Sequence, residues 1–224
     1  MEIYGQNLAS DGGNSRIHFD VPAGRRAVVD SVTKVKPADS YYGNPIAFKW
    51  GAGDLDLRLA VEDGSVMGLF TVREGTLGLT FAVPQTTLGK TIEVDANACL
   101  RLTAGTNRVN LAKVKFEKDT TLNTVANELG GIPCFEVTND PEDGFNKGGT
   151  IVISGNLSRL GAGDYPLWTA PTISAGTAAK WNVRFEDPDH PAKVSSLAAH
   201  ARLDSTSGTL RLHVERSGMA VIVK

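Results

Sequence analysis

A three-part beat recurs in the middle of this chain. An apolar strand-like residue, a polar or Gly-containing corner and a short Leu-bearing run return at a fixed interval. The runs are Val72-Arg73-Glu74-Gly75-Thr76-Leu77-Gly78-Leu79, then Val94-Asp95-Ala96-Asn97-Ala98-Cys99-Leu100-Arg101-Leu102, then Phe116-Glu117-Lys118-Asp119-Thr120-Thr121-Leu122. Val72, Val94 and Phe116 are each 22 residues apart. An interval of this size marks units that cannot bury an apolar face alone and must stack on one another.

Composition supports a packed core. Of 224 residues, 41% are hydrophobic and 21% charged, which argues against disorder. The 23 basic and 25 acidic residues are interspersed, with a net charge of −2, so the chain lacks the clustered positive field of a nucleic-acid platform. No stretch approaches the roughly 20 apolar residues that span a bilayer. The first residues, Met1 to Asn7, show neither a basic end nor an apolar run. The Gly-, Thr- and Asn-rich β composition nevertheless points to a secreted or cell-surface protein.

Period-2 alternation dominates the chain. It predicts strands over Ala27 to Val35, Leu55 to Val61, Leu77 to Val83, Lys113 to Glu117, Thr150 to Ser154 and Thr209 to Val214. Turn residues punctuate them at Asp11-Gly12-Gly13-Asn14, Gly51-Ala52-Gly53-Asp54, Asp63-Gly64, Gly130-Gly131 and Gly148-Gly149. Two segments break the pattern. Leu122, Val125, Ala126 and Leu129 show helical spacing, with Asp119 or Thr120 as N-cap and Gly130 as a stop. Val194, Leu197, Ala198 and Ala201 repeat that spacing.

These features predict an all-β protein: a short parallel β-helix or stacked-strand stem over residues 1–147, closed by a β-rich C-terminal cap over 148–224. Two β-sandwich units of jelly-roll type are the alternative, since antiparallel sheets show the same alternation. The cap rests on a composition shift from Gly161 onward, where Trp168, Trp181 and several prolines gather. A stacked array needs such a cover, because its last rung is an open edge.

The stretch Thr150-Ile151-Val152-Ile153-Ser154-Gly155-Asn156-Leu157, then Gly163-Asp164-Tyr165-Pro166-Leu167-Trp168, Trp181-Asn182-Val183 and Leu203-Asp204-Ser205-Thr206-Ser207-Gly208-Thr209-Leu210 carries a resemblance. It looks like the last rungs and end cap of bacterial autotransporter-type passenger β-helices. The likeness covers about the last 75 residues. It implies a β-rich stem of the kind that carries surface adhesins or enzymes.

Familiar catalytic motifs are missing. Leu88-Gly89-Lys90-Thr91 ends like a phosphate loop, but Pro84 stands where the first Gly is required. No Gly-x-Ser-x-Gly elbow occurs, and His18, His190, His200 and His213 lack the spacing of a helical zinc site. Four constellations remain. Asp30 in Val28-Val29-Asp30-Ser31 and Asp204 in Leu203-Asp204-Ser205-Thr206 resemble an aspartic-peptidase carboxylate pair, in which one acid holds a proton while the other activates water. The Gly of that motif is replaced by Val32 and Thr206. Asp140, Glu142 and Asp143, in an acidic loop read over Glu136 to Asn146, offer carboxylate oxygens suited to calcium, although Pro141 breaks any EF-hand spacing and a solvated acidic turn is the plainer reading. Tyr41, Tyr42 and Trp50 flank a Gly/Asn/Pro segment and supply flat rings that can stack on a sugar. Glu186-Asp187-Pro188-Asp189-His190-Pro191 sets an acid beside an imidazole within a proline-stiffened turn. Cys99 and Cys134 are too few for a disulfide scaffold or structural zinc, which leaves a single disulfide or two buried thiols.

The expectation is an exported or cell-surface module that binds glycoprotein or glycan, without catalysis of its own and with calcium as the one cofactor to consider. The alternative is a secreted glycoprotein-degrading hydrolase built on Asp30 and Asp204.

Overall fold

The computed structural model describes residues 2–6, 16–32, 46–59, 69–81, 88–105, 108–127, 131–140 and 144–215. Its strands are β1 (Glu2–Gln6), β2 (Arg16–Asp20), β3 (Arg26–Val32), β4 (Ile46–Trp50), β5 (Asp54–Leu59), β6 (Leu69–Val72), β7 (Thr76–Phe81), β8 (Leu88–Val94) and β9 (Cys99–Ala104). There follow β10 (Arg108–Phe116), β11 (Thr120–Ala126), β12 (Cys134–Asn139), β13 (Gly149–Gly155), β14 (Gly163–Thr169) and β15 (Trp181–Glu186). One α-helix, α1 (Pro191–His200), then leads into β16 (Ala201–Thr206) and β17 (Thr209–Val214).

The protein is all-β, and its strands fall into two sheets that the chain visits alternately. From β2 to β15, even-numbered strands enter a ten-stranded sheet and odd-numbered strands a seven-stranded one. Each strand pairs in parallel with the strand two further along. Among the described residues, antiparallel pairing is confined to the two ends of the larger sheet, where β1 joins β2 and the β16–β17 hairpin joins β14.

The beat in the sequence is this winding. Val72 pairs with Val94, and Val94 with Phe116, so the three form one column on the inner face of the larger sheet, each at most 1% exposed. In the smaller sheet Leu55, Leu77, Leu100, Leu122 and Ile151 stack likewise, all at most 1% exposed. Stacking gives each inward side chain a like neighbour above and below, which is how thin layers reach interior packing density.

The corners between the sheets continue the backbone ladder. Arg73 N donates to Lys49 O at 2.9 Å, Asp95 N to Val72 O at 2.9 Å and Glu117 N to Val94 O at 3.0 Å. Turning so tightly needs a left-handed residue at each corner, filled by Gly51, Gly75, Asn97 and Asp119 at φ of 74°, 64°, 62° and 64°. Gly, Asn and Asp are the residues that tolerate this conformation.

Two expectations change. The helix predicted over Leu122, Val125, Ala126 and Leu129 is strand β11 at its first three positions, and Leu129 lies outside the described residues. Leu122, Thr124 and Ala126 all point inward, and the polar Thr124 in the middle hid the period of two. Residues 136–139, read as the start of an acidic loop, belong to β12, and a short 3₁₀ turn over Gly144–Lys147 follows. The helix predicted around Val194 and Leu197 is α1, with Leu197 buried. The boundary placed at 147/148 falls just before β13, which pairs in parallel with β11 on one side and β15 on the other.

Rings close the C-terminal interior. Phe116, Phe135, Phe145, Trp168 and Trp181 lie with neighbouring ring centroids 4.9 to 5.8 Å apart, and Trp181 Nε1 donates to Phe145 O at 2.7 Å. Trp168 and Trp181 therefore fill the core, as strand-borne tryptophans should.

Candidate cleft at Trp50

The outer face of the larger sheet carries an aromatic and acidic cleft near its N-terminal end. Alternation turns Phe19, Ala47 and Lys49 inward and leaves His18, Asp20, Phe48 and Trp50 outward. Parallel register then sets His18 beside Phe48 and Asp20 beside Trp50. The His18 and Phe48 rings stack at 4.9 Å between centroids and 13° between planes. Trp50 is 40% exposed, one of two large apolar side chains so exposed among the described residues. With His18, Asp20, Gly51 and Glu74 it lines a cleft of about 440 Å³. Neither the Asp20 nor the Glu74 carboxylate has a hydrogen-bond or ion-pair partner among the described residues.

Beneath the cleft lies a buried lysine. Lys49 occupies the inward column between Phe19 and Val72 and is 2% exposed. Its Nζ donates to the carbonyls of Trp50 at 2.8 Å, Gly51 at 2.5 Å and Glu74 at 3.0 Å. An ammonium has three N–H donors, so all are used. Burial holds the group below its ordinary 10.5, against the pull of Asp54, Asp20 and Glu74. Lys49 thus ties together two successive corners, those that carry Trp50 and Glu74. Gly51 completes the floor, since a β-carbon there would stand 2.4 Å from Val21 O and 2.5 Å from Asp20 Oδ1. Sequence reasoning singled out Trp50 and missed Lys49, although a lysine in the inward register of an alternating strand is a readable anomaly.

The other candidates are not assembled in this way. Asp30 lies on β3, the first strand of the smaller sheet, and pairs with Arg58 at 3.1 Å. Asp204 lies on β16 at the far end of the larger sheet, eight strands from β2, where its Oδ1 accepts from Ser205 N at 2.8 Å. At about 4.8 Å per strand the two carboxylates stand on the order of 30–40 Å apart, so they cannot share a proton within one chain. The winding order separates them, which corrects the pairing drawn from their similar flanks. Asp140 is 3% exposed, and its carboxylate accepts from Thr172 N and Thr172 Oγ1. It fastens the loop after β14 to the loop after β12. Glu142 and Asp143 lie outside the described residues, as do Tyr41 and Tyr42. Among the described residues no group of three His, Cys, Asp or Glu side chains could hold a metal ion.

Asp187 and His190 do meet. His190 Nδ1 lies 3.0 Å from Asp187 Oδ2, which also accepts from Leu157 N at 2.7 Å. Burial acts to raise the Asp187 carboxyl, but these hydrogen bonds outweigh it and hold it below its ordinary value. The pair fixes the turn ahead of α1. Cys99 and Cys134 are free thiols on different sheets, both pushed up to about 11 by burial.

Among the described residues the largest ionic cluster lies on the outer face of the smaller sheet. Asp56 binds Arg101 at 2.7 Å and Arg26 at 2.5 Å, and Arg101 also reaches Asp54 at 3.2 Å. Burial acts to raise the Asp56 carboxyl, and the two guanidiniums outweigh it and lower it. Gly78 lies between Asp56 and Arg101 in the register, and its missing side chain lets them meet across an intervening strand. Every charge there is matched within the chain, which marks it as structural.

No protein-family model, curated protein or solved structure matches this chain. Among the described residues no helix is long and apolar enough to cross a membrane.

Proposed function

We propose that this protein is a non-enzymatic, exported or surface-displayed β-helical stem that binds glycan or glycoprotein through the Trp50 cleft. One observation carries the reading. An exposed indole sits beside two carboxylates that have no partner among the described residues, over a floor braced by Lys49. An aromatic ring offers a platform for the apolar face of a sugar, and carboxylates accept hydrogen bonds from its hydroxyls. The parallel winding and the antiparallel closing strands support the likeness to autotransporter-type passengers. The aspartic-hydrolase alternative has no support within one chain, because it requires Asp30 and Asp204 in one cleft.

A glycan array probed with the wild-type protein and with Trp50→Ala tests the reading. The wild type should bind at least one saccharide class, and the variant should bind about tenfold more weakly or worse, the loss expected of a truncated aromatic anchor. Absence of wild-type binding to every saccharide at millimolar concentration, or an unchanged Trp50→Ala profile, would overturn it.

A further inference from the structure

The charge of the Trp50 cleft defines the class of saccharide it would take. The walls present acids: Asp20 on β2 and Glu74 on the corner after β6. The one cation beneath them, Lys49, is withdrawn, with its three N–H groups spent on main-chain carbonyls. Two carboxylates over one buried ammonium leave the site net negative when the His18 imidazole, which lines the same cleft, is neutral. Asp54, the third acid acting on Lys49, is already engaged by Arg101 at 3.2 Å. Register places the Asp20 carboxylate directly beside Trp50, and Gly51 gives that carboxylate room to lie against the corner.

An indole face attracts a cation, and adjacent carboxylates add direct Coulombic attraction. The same groups repel an anion and leave a neutral acetamido group without a charged partner. Building on the saccharide reading above, we propose that the cleft selects sugars bearing a free, protonated amine, such as glucosamine units, over N-acetylated ones, and rejects sialylated or sulfated glycans.

The experiment titrates Trp fluorescence with a short glucosamine oligomer, its fully N-acetylated counterpart, a sialylated oligosaccharide and a lysine-bearing peptide. Of the three tryptophans, Trp168 and Trp181 are buried, so Trp50 reports the cleft. Titrations run at about pH 7, below the ordinary range of an amine and above those of a carboxylate and an imidazole. The glucosamine oligomer should bind about tenfold or more tightly than the acetylated one, and the sialylated probe should not bind. Added salt should shrink the difference. An Asp20→Asn/Glu74→Gln double variant, with its fold checked by circular dichroism, should bind both oligomers alike. Equal wild-type affinity for the two oligomers would overturn the amine selectivity and leave a saccharide site standing. Equal or tighter binding of the peptide would overturn the assignment to sugars. Failure of all four probes would overturn this inference, while the saccharide reading stands or falls with the glycan array.

Discussion

Thr124 shows how one residue can sit against its surroundings. It lies in the inward column between Leu102 and Ile153, is fully buried, and its Oγ1 has no hydrogen-bond partner among the described residues. A buried polar atom left unpaired costs about 1–3 kcal/mol, and valine has the same shape without the hydroxyl. Thr124→Val should therefore stabilise the protein by about 1 kcal/mol, seen as a higher urea midpoint at unchanged slope. A lower midpoint would mean that the hydroxyl has a partner, such as a buried water. Lys49 is the contrasting case. It is as deeply buried as the valines of its column, yet all its donors are matched. Both residues interrupt an alternating pattern, and each becomes a readable anomaly only once the inward register of its strand is known, because polarity alone does not reveal which face a residue occupies.

Single strands here owe their fit to what the next strand lacks. Gly78 weakens β7 by propensity, but a β-carbon there would lie 1.8 Å from Asp56 Oδ1. Gly78→Ala should push the carboxylate off Arg101 and cost about 2 kcal/mol, the scale of a charge-assisted hydrogen bond. In an Asp56→Ala background the same substitution should cost little, because only the flexible Arg101 side chain, with Nε 3.3 Å away, remains to give way. Equal costs in both backgrounds would show that Gly78 serves the backbone and not the ion pair. The corners follow the same logic. Asn97 and Asp119 could be read from sequence as turn residues, but their common left-handed geometry emerges only once the corners are aligned.

For the whole molecule, stacking makes each layer depend on its neighbours. Cys99 and Cys134 sit in separate layers and report on this coupling. With both thiols pushed up to about 11, almost no thiolate exists at neutral pH. Iodoacetamide should leave both unmodified in the native protein and modify both within one urea transition. Separate midpoints for the two thiols would mean that the stack unfolds in sections.

The amino-acid sequence by itself determined the all-β class, the 22-residue stacking interval and the turns at Gly51-Ala52-Gly53-Asp54 and Gly148-Gly149, and singled out Trp50, while the turns placed at 11–14 and 63–64 and Gly130 lie outside the described residues. All of these are local signals, set by side-chain period and by residues that accept left-handed backbone. The interval was legible only in the middle of the chain. Leu55, Leu77, Leu100 and Leu122 are 22, 23 and 22 residues apart, whereas Leu122 and Ile151 are separated by 29, because the connections on both sides of β12, residues 127–133 and 140–148, are longer than their counterparts 105–107 and 117–119. Tertiary structure alone decided which distant residues meet. It parted Asp30 from Asp204, gave Asp140 to Thr172, and set Asp20 and Glu74 around Trp50 over Lys49. Register between strands some 30 residues apart depends on the length of every intervening corner, and no motif within one strand records that sum.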